Sequence, residues 1–118
     1  GIQAARDARL MEYLRNHAIA LDICLTSNLK TRAWAPISSH PFGLFWKRGV
    51  PVTLSTDDPG VFQTSLTAEY LKAVKYFSLE RDDLNRVALQ SVQSAFLPAA
   101  EKARLMQQFR DEIHRMVV

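Results

Sequence analysis

Residues Val50 to Thr56 form an apolar strand sequence that runs directly into two adjacent carboxylates, Asp57 and Asp58, and stops at Pro59. Carboxylates at the carboxyl end of a buried parallel strand sit where α/β proteins place metals and ligands. In that position one carboxylate ligates a hard or borderline cation while its neighbour contacts substrate. The competing explanation is structural: an Asp before a turn caps the next helix or bonds its own backbone as an Asx-turn. Adjacent strand residues point to opposite faces, so both aspartates reach one site only if the strand bends at its end. Pro59 supports such a bend.

The elements around this pair must position it. The spacing of Leu10, Met11 and Leu14 predicts a helix over 4–16, with the charges on its other side. The apolar run from Ala18 to Leu25, broken only by Asp22, predicts a buried strand ending in a polar turn at Thr26-Ser27-Asn28. Pro36 and Ser38-Ser39 mark a loop. A short helix follows, starting near Ser39 and Pro41, carrying Phe42, Phe45 and Trp46, and stopping at Gly49. Val50 to Thr56 is the second strand, and Pro59-Gly60 turns the chain. A helix then begins at Leu66-Thr67, with Thr67 as N-cap and Leu66 and Leu71 as a hydrophobic staple, and runs to about Phe77. Ser78 is placed to cap a further helix carrying Leu84, Val87 and Ala88. Pro98 opens a last one, in which Ala103, Met106, Phe109, Ile113 and Met116 recur every three or four residues. Phe62, Phe77, Phe96 and Phe109 are expected in the core.

Two apolar strands roughly thirty residues apart with a helix between them make a right-handed βαβ unit with parallel strands. A two-stranded parallel sheet has two open edges and marginal stability, so these strands belong to a larger closed sheet. The fold class is α/β, and residues 1–118 are expected to be part of a single domain.

The composition is that of a soluble globular chain: 118 residues, 47% hydrophobic, 23% charged, net charge +3. Lys and Arg are scattered among Asp and Glu, with no basic stripe interleaved with aromatics, which argues against a nucleic-acid partner. No apolar stretch is long enough to span a bilayer and no signal-peptide pattern opens the chain, which argues against a membrane. Cys24, the single cysteine, excludes a disulfide framework and a Cys-based zinc site, and is expected to be a buried, inert thiol. A reducing, cytoplasmic location fits. The opening Gly1-Ile2-Gln3, without an initiator methionine, suggests a piece of a longer protein.

The segment from Asp22 to Leu29, then His40-Pro41, then Gly49 to Pro59, and finally Ser94 to Lys102, resembles in order and spacing the carboxyl-terminal part of the adenosine deaminase family. The resemblance covers essentially the whole chain. It implies the carboxyl-terminal part of a metal-dependent (β/α)8 TIM barrel, with Ile19–Leu25 as its seventh strand, Val52–Thr56 as its eighth, and additional carboxyl-terminal helices. By the same resemblance Asp57 is a Zn2+ ligand and catalytic residue, and Asp58 contacts N7 of a purine. Gly1 matches the glycine that follows the family's catalytic histidine. That histidine, the metal-binding His-x-His pair, the third metal histidine and the ring-protonating glutamate are therefore expected in the rest of the barrel, upstream of Gly1. The 118-residue chain alone is expected to be inactive.

The reaction this implies is hydrolysis of the 6-amino group of a small-molecule purine nucleoside. Zinc lowers the pKa of water toward neutrality and so supplies a nucleophile for C6. Adenosine or deoxyadenosine stands first as substrate, aminodeoxyfutalosine second and adenine third; a non-catalytic binding fragment or pseudoenzyme is the alternative of another class. Because N7 of adenine is an acceptor, a hydrogen bond to Asp58 needs a proton on one of the two. Ser27 and Asn28, ending a strand at the catalytic face, are candidates for substrate contact or for supporting the site, though Asn28 equally suits a turn. Arg32 stands in Thr31-Arg32-Ala33 where many adenosine deaminases carry glycine. It is a candidate partner for a substrate carboxylate, such as the benzoate of aminodeoxyfutalosine, or else a solvated loop arginine. His40 is expected to start a helix rather than bind metal, and His17 and His114 to face solvent. Trp34 and Trp46 are expected to pack.

Overall fold

In a computed structural model the described residues are 1–116. After a 3-10 turn at Ile2–Arg6 come α1 (Ala8–Asn16), β1 (Leu21–Ile23), α2 (Leu25–Lys30), a 3-10 turn at Ile37–Ser39, α3 (Phe42–Arg48) and β2 (Val52–Leu54). Then follow α4 (Pro59–Phe62), α5 (Leu66–Phe77), α6 (Arg81–Ser94) and α7 (Ala99–Met116). The two strands are parallel, with Leu21 opposite Val52, Asp22 opposite Thr53 and Ile23 opposite Leu54. The expected βαβ pairing is present, with two helices in the crossover instead of one.

Alternation decides which face each strand residue covers. Ile23, Leu25, Val52 and Leu54 are buried with Phe42, Phe45, Ala73 and Val87 in one core. On the opposite face Asp22 accepts hydrogen bonds from Thr53 Oγ1 at 2.7 Å and Ser55 Oγ at 2.8 Å, pinning the register of the two strands. This polar face lines an open groove of about 750 Å³ with Gln90, Gln93 and Ser94 of α6. Ser55 has given its one proton to Asp22, so the Cys24 thiol donates to Ser55 Oγ at 3.2 Å. Burial pushes the Cys24 thiol pKa up, against the lowering influence of Ser55, which keeps the group neutral. Cys24 is half-buried rather than buried.

Several local expectations are corrected. β1 is shorter than 19–25 because the chain enters α2 at Leu25, so Thr26-Ser27-Asn28 is the first part of a helix and not a turn. β2 likewise ends at Leu54, although Ser55 N–H still donates to Ile23 O at 2.9 Å. The N-cap of α5 is Ser65, whose Oγ accepts from Ala68 N–H at 3.2 Å, two residues before Thr67. Leu66 and Leu71 are then both exposed and form no staple. Ser78 is not a cap for α6 but the left-handed C-cap of α5, with φ 56°. α6 is instead opened by Glu80, paired reciprocally with Asp83 in a capping box. Pro59-Gly60 opens the short helix α4. Phe96 is fully exposed and Phe109 is on the surface, while Phe62 and Phe77 are half-buried. Gly49 ends α3 as expected, at φ 70°, where a side chain would be strained.

Candidate active site

The site is built at the carboxyl ends of β1 and β2. After β2 the chain turns at Asp57 with φ 57°, a left-handed conformation that Asp tolerates better than most residues. That reversal is the bend expected before Pro59. It interrupts the alternation of the strand and is held from the neighbouring strand end: Ser27 Oγ donates to Asp57 Oδ2 at 2.8 Å. Oδ1 of Asp57 accepts no hydrogen bond among the described residues. Ser27 is buried, so its hydroxyl serves the carboxylate rather than solvent.

Asp58 does what a capping aspartate does. Its Oδ1 accepts from Val61 N–H at 2.9 Å, and Pro59 occupies the first turn of α4. The second oxygen, Oδ2, remains for another partner. Asn28 is fixed differently. Phe42 N–H donates to His40 Nδ1 at 3.0 Å, so the His40 proton sits on Nε2, which donates to Asn28 Oδ1 at 2.9 Å. His40 thus ends a 3-10 turn, leads into α3 by accepting from its first amide, and is a buried clamp on Asn28. Burial lowers its pKa to about 4. Arg32 lies on the exposed loop after α2 at φ 57° and makes no ion pair among the described residues. The structure therefore joins Ser27 to Asp57, ties Asn28 to His40 and turns Asp58 toward its own helix. Arg32 it leaves exposed to solvent.

Sequence reasoning did not find a second cluster beside these. Glu69 on α5 is completely buried. Its Oε2 accepts from Thr26 N–H at 3.1 Å, and Oε1 accepts from Thr26 Oγ1 and, at 2.7 Å, from Thr64 Oγ1. Lys72 Nζ lies 3.4 Å from Oε1 and donates to Thr26 Oγ1 at 2.7 Å. Burial alone would raise the Glu69 pKa, but the Thr26 and Thr64 hydroxyls, the Thr26 amide and Lys72 together hold it low. The available signal was helical spacing, which puts Glu69 on the inward face with Ala73 and Phe77.

Whether these residues suit a metal follows from the donor set. Asp57 offers one hard oxygen with its partner oxygen already held, which suits a single zinc ligand. Among the described residues no group of three His, Cys, Asp or Glu side chains gathers to complete a site. No helix of the described residues is long and apolar enough to cross a membrane.

Two parallel strands joined by a helical crossover, buried on one face by helices and with a pair of carboxylates following the second strand, are the carboxyl-terminal portion of a (β/α)8 barrel, followed by additional helices. Comparison with solved structures agrees. An adenine deaminase from Arthrobacter aurescens superposes with a TM-score of 0.88 over 97% of this chain and 35% of its own, at 24% identity. An amidohydrolase from Burkholderia ambifaria, solved with bound Zn, superposes at 0.87 over 98% of this chain and 33% of its own, at 17% identity. The adenosine deaminase family profile matches residues 1–112, and the chain belongs to that family. It is 41% identical over 105 residues to an aminodeoxyfutalosine deaminase of Streptomyces avermitilis, covering 89% of this chain and 29% of the relative. It is 37% identical over 107 residues to an adenosine deaminase of Klebsiella pneumoniae, covering 91% of this chain and 32% of the relative. The chain thus spans about a third of the length of the curated relatives it matches.

Proposed function

We propose that the protein containing this chain is a zinc-dependent deaminase that hydrolyses the 6-amino group of adenosine or deoxyadenosine. Water adds its oxygen at C6, the bond from C6 to the exocyclic nitrogen breaks, and the products are ammonia and inosine or deoxyinosine. The observation that carries this reading is the Asp57 carboxylate in the turn after β2, one oxygen fixed by Ser27 and the other without a hydrogen bond among the described residues. Asp57 is the one zinc ligand this chain contributes, and the metal supplies water activation when bound. Asp57 also offers a carboxylate able to accept a proton from the attacking water. Asp58, its Oδ1 committed to Val61 N–H, presents Oδ2 to purine N7, with one proton shared between them. Asn28, clamped by His40, shapes the floor near the strand end. The remaining metal and acid–base groups belong to the rest of the barrel, and the isolated chain is inactive.

A second substrate, aminodeoxyfutalosine, is favoured by Arg32. This exposed guanidinium makes no ion pair among the described residues, so it is available for a substrate carboxylate. Adenine ranks third. Ammonia release from the three compounds by the full-length protein ranks them. An Asp57→Ala variant that keeps wild-type turnover on all three would overturn the catalytic role of Asp57, and no ammonia release from any of the three by the full-length protein would favour a binding role instead.

A further inference from the structure

Resting on the proposed role of Asp57, we infer that Glu69 is a positioning residue for the metal-ligand carboxylate, acting through Thr26 and Ser27 on a helix that lacks a cap of its own. Cys24, the N-cap of α2, makes no side-chain capping hydrogen bond. The amide it leaves unserved, Thr26 N–H, is taken by Glu69 from another helix, 43 residues along the chain. Glu69 is therefore a cap supplied in space rather than in sequence. The next residue of α2 is Ser27, whose hydroxyl holds Asp57 Oδ2. The direction in which the cap fixes the first turn of α2 is thus the direction in which the Ser27 hydroxyl aims.

Donor and acceptor counting explains why a glutamate stands here. Thr26 N–H, Thr26 Oγ–H, Thr64 Oγ–H and Lys72 all donate toward its two oxygens. Because Lys72 donates to Thr26 Oγ1, the Thr26 proton is directed to the carboxylate. An amide has one acceptor oxygen and would aim its NH2 at donors, so glutamine cannot substitute. No buried side-chain polar atom among the described residues is left unpaired, so this network is fully satisfied only with the carboxylate in it.

The test is a double-mutant cycle in the full-length zinc-loaded protein, read as zinc affinity by chelator competition and as the thermal unfolding midpoint of the metal-free form. Ser27→Ala should weaken zinc binding by about tenfold or more, the range for groups that orient a ligand. Glu69→Gln should weaken it by about tenfold, and in the Ser27→Ala background should add little further loss. Thr26→Val, isosteric and able to keep its backbone hydrogen bond, should reproduce part of the effect, and it decides the matter if Glu69→Gln does not fold. Unchanged zinc affinity in Glu69→Gln or Thr26→Val, or losses that add in full with Ser27→Ala, would overturn the inference and leave Glu69 a purely structural cap. Asp57→Ala separates the two levels. If it leaves zinc affinity intact, the metal-ligand reading itself fails; if it abolishes binding while the cycle is additive, the role of Glu69 alone fails.

Discussion

The Ser27 hydroxyl holds Asp57 Oδ2 at 2.8 Å, joining the residues that follow the two parallel strands across 30 positions of sequence. This contact fixes a carboxylate that its own backbone leaves poorly constrained, since Asp57 sits in a left-handed turn after the strand. Ser27→Ala should therefore cost about 1 kcal/mol in stability, the ordinary worth of one hydrogen bond with an exposed partner. Its effect on the proposed deamination should be larger, about 10- to 100-fold in kcat/KM, because the ligand oxygen loses its orientation. Paired urea unfolding and steady-state kinetics of the full-length protein compare the two losses. A kinetic loss no greater than the stability loss would deny Ser27 an orienting role.

Asp58 carries a cap and a candidate purine contact on one carboxyl group, and a single substitution separates them. Asn is as good an N-cap as Asp, so Asp58→Asn should keep the 2.9 Å bond to Val61 N–H and leave stability within about 0.5 kcal/mol of wild type. The amide also retains a donor for N7, but it cannot exchange a proton. A loss of 10-fold or more in kcat/KM with an unchanged unfolding midpoint would show that the Asp58 carboxyl itself, and not merely a donor at that place, is needed. Near-wild-type kinetics would show that a hydrogen-bond donor facing N7 is enough and would count against a proton-donating carboxyl.

His40 makes stability depend on acid. Burial places its folded-state pKa at about 4, below the 6.5 of an unperturbed imidazole. The folded state thus favours the neutral ring, as its acceptor bond from Phe42 N–H requires. Stability from this group is complete above pH 6.5 and is lost as pH falls toward 4, in total about 3 kcal/mol and about 2 kcal/mol of it by pH 5. Urea midpoints at pH 7 and pH 5 should differ more in wild type than in His40→Gln, whose side chain does not titrate. Equal differences in the two proteins would show that His40 charges freely in the folded state.

The parts of this architecture legible in sequence are those set by local pattern. The apolar runs from Ala18 to Leu25 and from Val50 to Thr56 give two buried strands, each longer than the strand that forms, and their spacing gives a parallel crossover. Gly49 and Pro98 mark helix ends by backbone chemistry that no tertiary contact overrides. The misread elements are those decided at a distance. Thr26-Ser27-Asn28 has turn composition, yet it is helical because Glu69 reaches over to cap it. Ser65 and Thr67 are both competent caps, and only packing selects the earlier one; the staple assigned to Leu66 and Leu71 falls with it. Phe96 is apolar and lies between two helices, but the α6 to α7 connection carries it outward. The Asp57-Asp58 pair was visible from its place at a strand end. Its support by Ser27 was not, because a hydrogen bond from helix α2 to the turn after β2 leaves no periodic trace.

Arg32 tests substrate choice with little risk to the fold. Its φ of 57° is unfavourable for a side-chain-bearing residue and natural for glycine, while glycine loses more backbone entropy on folding. The two effects nearly cancel, so Arg32→Gly should hold stability within about 1 kcal/mol of wild type. If the guanidinium pairs with a substrate carboxylate, the variant should lose about 10-fold or more in kcat/KM on aminodeoxyfutalosine, the range for a charge-assisted hydrogen bond. Adenosine and adenine, which carry no carboxylate, should be turned over as before. An equal loss on all three would mean that Arg32 shapes the loop, and an effect on none would leave it a solvated arginine. In either case the aminodeoxyfutalosine reading loses the residue that favours it.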